Sequence, residues 1–116
     1  MKNILRFFLY IILFISVSSK SFAQIEKFYS TDKDISNSLI NKIYQDKKGF
    51  VWIATEDGLN KFDGTKFTIY KNISKDNTSL KNNYVKTMYE DTQGRFWIGC
   101  INGVLIYNRA KDSFNF

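Results

Sequence analysis

The sequence contains no histidine and no proline, and cysteine occurs once, at Cys100. Each absence excludes a chemistry. Without histidine there is no Ser-His-Asp triad, no Cys-His pair, no His-ligated zinc and no phosphoacceptor of a histidine kinase. One cysteine permits neither an internal disulfide nor a thiolate metal cage. Glycine is sparse, six in 116 residues, so each one marks a place worth inspecting. Arginine appears only at Arg6, Arg95 and Arg109, too few to build a guanidinium cluster for an anionic substrate. No set of residues suggests catalysis, a cofactor or a metal. What the chain has is aromatic side chains, 17% of the total, a composition that suits a packed β protein.

Long apolar runs are also missing, with one exception. Phe7–Val17 is an apolar stretch of 11 residues, preceded by Lys2 and Arg6 and followed by Ser18-Ser19-Lys20-Ser21-Phe22-Ala23. A basic start, a short apolar centre and small residues at Ser21 and Ala23 predict a secretory signal peptide over 1–23, cut after Ala23. A membrane-spanning helix needs about 20 apolar residues, and Lys20 arrives too early. No stable membrane anchor is therefore expected after cleavage. Three of the 17 basic residues fall in this segment, leaving 14 against 11 acidic ones. The remaining bases are scattered, which removes the electrostatic case for nucleic acid. The expected location is the bacterial periplasm or the cell exterior.

Beyond the leader the chain repeats itself. Residues 41–63 align with 86–108 at an offset of 45: Tyr44 with Tyr89, Asp46 with Asp91, Gly49 with Gly94, Trp52-Ile53 with Trp97-Ile98, and Gly58 with Gly103. A period of that size with turn signals inside it predicts propeller blades. Short β-branched and aromatic runs predict four strands in each copy: 40–45, 50–55, 59–62 and 66–70, then 84–89, 95–99, 104–107 and 113–116. Phe50–Thr55 reads as a strand buried on both faces. The expected fold is all-β: two four-stranded antiparallel blades of an incomplete propeller, over 38–71 and 84–116. A polar linker over 72–83 joins them, and a leading strand, Ile25–Ser30, with its own linker occupies 24–37.

The repeated Asp-x-x-Gly-x-x-Trp trio has a structural logic. Asp46 and Asp91 can accept backbone N–H bonds from the turn they open. Gly49 and Gly94 permit positive φ. Trp52 and Trp97 are expected in equivalent, largely buried places between neighbouring sheets. Asp46, Gly49, Trp52, Gly58, Asp91, Gly94, Trp97 and Gly103 are thus framework positions, and none identifies a ligand. Cys100 reads as a small packed hydrophobe, Glu56-Asp57 as an exposed turn, and the sequons at Asn72 and Asn77 as chance matches.

The series Ile40-x-x-Ile43-x-x-Asp46-x-x-Gly49-x-x-Trp52-Ile53-Ala54-Thr55-x-x-Gly58-Leu59-x-x-Phe62-Asp63-Gly64 resembles the two-component regulator propeller repeat, with Ala54 and Cys100 as departures. The resemblance implies the periplasmic sensor region of a hybrid two-component histidine kinase. For the intact parent it implies an oligosaccharide ligand and a homodimer partner. Two blades, where a ring takes about 4–8, and an end within a strand imply an N-terminal fragment without signalling output. A freestanding exported carbohydrate- or protein-binding propeller module is the alternative. A sialidase-type Asp-box is disfavoured, because the Asp-to-Trp spacing is one residue too long. With both outer faces left wet, two blades alone are expected to be marginal or aggregation-prone.

Overall fold

The computed structural model describes residues 2–16, 26–31 and 33–116. A helix, α1 (Lys2–Ser16), carries the apolar run as far as Ser16, with Lys2–Ile11 exposed. No helix among the described residues is long and apolar enough to cross a membrane. The expected cut after Ala23 lies outside the described residues.

The other elements among the described residues are all strands. Strands β1 (Ile40–Gln45), β2 (Val51–Thr55), β3 (Gly58–Phe62) and β4 (Phe67–Tyr70) form one antiparallel meander. Strands β5 (Val85–Glu90), β6 (Phe96–Cys100), β7 (Gly103–Asn108) and β8 (Ser113–Asn115) form a second with the same order. Their registers match at the offset of 45: Tyr44 pairs with Trp52 and Tyr89 with Trp97, and Thr55 pairs with Gly58 and Cys100 with Gly103. Both first strands carry the same irregularity, between Ile40 and Lys42 and between Val85 and Thr87. The repeated positions thus produce sheets of matching register, down to the irregularity in the first strand.

Alternation then decides which side of each sheet is dry. Tyr44, Trp52, Ala54, Leu59 and Tyr70 share the side of the first blade that faces the second. Met88, Phe96, Ile98, Leu105, Tyr107 and Phe114 answer from the second blade. Leu80, from the connection between blades, is fully buried with them. Trp52 lies at the centre, 4.8 Å from both the Phe96 and Tyr107 rings and stacked on Tyr70 at 5.9 Å. Burial of large aromatic surface of this kind is the main force holding the blades together.

Three expectations need correction. Trp52 is fully buried, whereas Trp97 is only half-buried. Trp52 points into the seam with the next blade, and Trp97 points out of the far side of the second blade. Phe50–Thr55 is not buried on both faces: Trp52 and Ala54 are buried, but Val51 and Ile53 are half-exposed on the side away from the seam. Finally, Glu26–Ser30 has no strand conformation. A strand needs an edge to satisfy its backbone, and this segment pairs with neither sheet. Instead Tyr29 sets its ring edge-on to Phe62 and Phe67, 5.1 Å from each.

Candidate functional site

The repeated aspartates build their turns as small cages. Asp46 Oδ1 accepts the backbone N–H groups of Lys48 and Phe50 at 2.9 and 3.0 Å, and Asp91 Oδ1 those of Gln93 and Arg95 at 2.9 Å each. Gly49 and Gly94 follow at φ 93° and 80°, where a side chain would be strained. The second oxygen does something the sequence reading missed. Asp46 Oδ2 accepts the Trp52 indole N–H at 2.8 Å, and Asp91 Oδ2 that of Trp97 at 3.0 Å. The trio is therefore a clasp: one carboxylate fixes both the turn and the ring that follows it. Gly58, at φ 135°, has a further reason to be glycine. A Cβ there would approach the Ser36 hydroxyl and the Tyr70 carbonyl to 3.0 Å.

The first clasp carries a guanidinium from the other blade. Arg109, on the turn after β7, donates to Asp46 Oδ2 at 2.8 Å and to Glu90 Oε2 at 3.0 Å. The carboxylate side chains are 0% and 2% exposed, so a single guanidinium bridges two buried acids, Glu90 on its own blade and Asp46 across the seam. It also lies 5.6 Å from the Phe96 ring. Burial by itself would raise the Asp46 carboxyl, but the bonds from Arg109 and Trp52 outweigh it and hold the group below its ordinary value of 3.8. Asp91 is held below its usual range as well, chiefly by the Trp97 indole and then by Arg95, 2.6 Å away.

A lowered folded-state value gives a definite sign. Stability from the ionised Asp46 is complete above the unfolded-state value near 3.8 and is lost as pH falls through the lower folded value. The urea midpoint should therefore hold steady from neutrality to about pH 5 and fall below pH 4. Asp46→Asn should flatten that decline; a decline of the same steepness in the variant would exclude Asp46 as its source.

Beside the clamp, Lys61 enters from β3. Its ammonium donates to the Tyr107 hydroxyl at 3.1 Å and lies 4.5, 5.4 and 5.6 Å from the rings of Phe50, Tyr107 and Trp52. Tyr107 and Tyr70 both donate to Asp112 at 2.5 Å. Burial and these bonds push the Tyr70 phenol well above its usual value. Lys48, Phe50, Lys61, Tyr107 and Arg109 border an open groove of about 220 Å³. These groups orient one another across the blades.

The remaining candidates stay apart from this cluster. Cys100 is buried, and burial raises its thiol. It should react with a disulfide reagent only after denaturant is added; rapid labelling of the native chain would contradict the placement. Glu56 and Asp57 form the half-exposed β2–β3 turn. There Asp57 pairs with Lys71 at 2.7 Å, and Glu56 accepts the Tyr84 hydroxyl at 3.1 Å. Among the described residues no group of three or more acids and cysteines is placed to hold a metal. Asn72 donates its amide to the Leu80 carbonyl at 2.6 Å, a linker-building role.

Two radiating four-stranded meanders, clasped at one turn and packed through Trp52, are adjacent blades of a β-propeller. Residues 34–57 and 79–102 each match the family model of the two component regulator propeller. It is 39% identical over 82 residues to Histidine kinase P4 of Formosa agariphila, a match that spans 69% of this chain and 6% of that protein. It also resembles the crystal structure of the extracellular domain assigned to the hybrid two component system BT3049 of B. thetaiotaomicron. There the TM-score is 0.66 at 36% identity, covering 77% of this chain and 13% of that one. The chain thus spans a small part of each protein it matches.

Proposed function

We propose that this chain supplies two neighbouring blades of the extracellular, ligand-sensing propeller of a hybrid two-component system. One observation carries the reading. The blades share one complete seam, and each also presents, on its far side, a face built at the same repeat positions. That is the arrangement of units belonging to a larger ring. The leader over 1–23 exports the chain to the periplasm. The chain acts as a binding unit, and with no histidine it does not itself carry the phosphoryl group of the system. The ligand class is an oligosaccharide, and the intact sensor works as a homodimer. The matches to a histidine kinase and to a hybrid-system extracellular domain support the placement in an extracellular sensor.

The test is export of the full chain from a bacterial host, followed by binding to a panel of labelled oligosaccharides. Recovery from the periplasm with Gln24 as first residue, and saturable binding of one sugar family without release of reducing ends, is the expected result. Retention in the inner membrane with Met1 intact would overturn the export claim. Sugar cleavage would overturn the non-catalytic role, and binding of peptides alone would overturn the ligand class.

A further inference from the structure

We infer that the groove bordered by Lys48, Phe50, Lys61, Tyr107 and Arg109 is a subsite for the carboxylate of an acidic sugar, which rests on the oligosaccharide reading above and narrows it to uronate-bearing ligands. The groove belongs to the seam that the two blades share. Lys48, Phe50 and Lys61 come from the first blade, and Tyr107 and Arg109 from the second.

The repeat separates frame from site. Positions that packing requires in every unit recur at the offset of 45, as the two Asp-x-x-Gly-x-x-Trp clasps do. The groove residues do not recur. Gln93 stands at the repeat position of Lys48, Arg95 at that of Phe50, Ile106 at that of Lys61 and Gly64 at that of Arg109. Phe62 answers Tyr107 without the hydroxyl. A set of side chains found at one seam only is not part of the common frame, and here the set contains three cations.

Two of those cations are available to a ligand. Arg109 is engaged by Asp46 and Glu90, whose side chains are too deeply buried to meet a group in the groove. Neither Lys48 nor Lys61 makes an ion pair among the described residues. Lys48 is exposed and Lys61 half-buried. The Lys61 ammonium donates to the Tyr107 hydroxyl at 3.1 Å, and that hydroxyl in turn donates to Asp112 at 2.5 Å. Tyr107 thus stands between the lysine and the acid. An ammonium has three donors, and this bond uses one of them. A carboxylate is the acceptor that suits the other two. Charge-assisted bonds are the strong ones, and more so beside aromatic rings than in open water.

Size and surface fit one acidic sugar residue. At about 220 Å³ the groove is smaller than the roughly 300–1,000 Å³ of pockets that enclose a drug-sized ligand. It takes a single ring at its charged edge, with the rest of the sugar chain outside. The half-buried Phe50 ring offers apolar surface beside the two ammonium groups.

The test is calorimetric titration of the exported full chain with digalacturonate, with neutral digalactose and with a tetraglutamate peptide. Digalacturonate should bind saturably, at least tenfold tighter than digalactose, and more weakly as salt is raised. Lys61→Met should weaken digalacturonate about tenfold or more, as loss of a hydrogen bond to a charged group does. Lys48→Gln should weaken it several-fold. Both variants should bind digalactose as the wild type does. Lys48 is exposed, so its variant decides the matter if far-UV circular dichroism shows that Lys61→Met alters the fold. Lys86→Gln, at an exposed lysine that does not border the groove, should change nothing. Equal binding of the two sugars, or digalacturonate affinity unmoved by the groove substitutions, would overturn the subsite and leave the oligosaccharide reading standing. Failure to bind digalacturonate would overturn the subsite whatever the neutral sugar does. Binding of the peptide alone would overturn both readings.

Discussion

Replacing Trp52 by alanine should cost the folded state about 3–5 kcal/mol, the range for truncating a buried aromatic, whereas the same change at Trp97 should cost about 1–2 kcal/mol. Sequence gives no reason for the difference, since both residues sit in the same motif. Position in the array gives it. Trp52 is enclosed by Phe96, Tyr107 and Tyr70, and its removal opens a cavity at the centre of the seam. It also takes one donor from Asp46, whose side chain is fully buried. Trp97 is half-buried and holds mainly its own turn through Asp91. Urea unfolding of the two variants at one low protein concentration reads the comparison. Equal losses would mean that the two rings occupy equivalent surroundings.

The second large effect is expected at Arg109. Arg109→Met keeps the length of the side chain and removes its charge. Asp46 and Glu90 are then left facing each other across the seam with almost no access to water. Removing one partner from a buried ion pair typically costs about 3–5 kcal/mol, most of it the penalty of stranding the acids. The loss should therefore shrink in Asp46→Asn/Glu90→Gln, where no charge is stranded. A double-mutant cycle by urea unfolding measures that coupling. A near-zero coupling energy would show that Arg109 acts through its contact with Phe96 and not through the carboxylates.

Much of the architecture was legible because it depends on local pattern. An Asp that opens a turn, a Gly at positive φ and a Trp three residues later form one rigid unit, and the unit recurs. Strand limits followed to within a residue or so from the same punctuation. What could not be read were properties of the assembled pair. The indole bond to Asp Oδ2 is local, and the six-residue Asp-to-Trp spacing was a signal available for it. The Arg109 clamp joins positions 63 residues apart and has no counterpart in the first repeat, so periodicity is silent about it. The cage around Lys61 is likewise assembled from both blades. The leading segment failed as a strand because pairing is a property of a neighbouring edge, which a strand-like composition does not supply.

The central claim is that, of two copies of the same Asp-x-x-Gly-x-x-Trp motif, one is sealed between blades while the other faces outward. Acrylamide quenching of single-tryptophan chains tests it most directly. Trp97→Phe leaves Trp52 as the reporter, and Trp52→Phe leaves Trp97. At submicromolar concentration Trp52 should emit at shorter wavelength and be quenched only weakly, and Trp97 should be quenched several-fold more strongly. Equal quenching of the two, or stronger quenching of Trp52, would contradict the account.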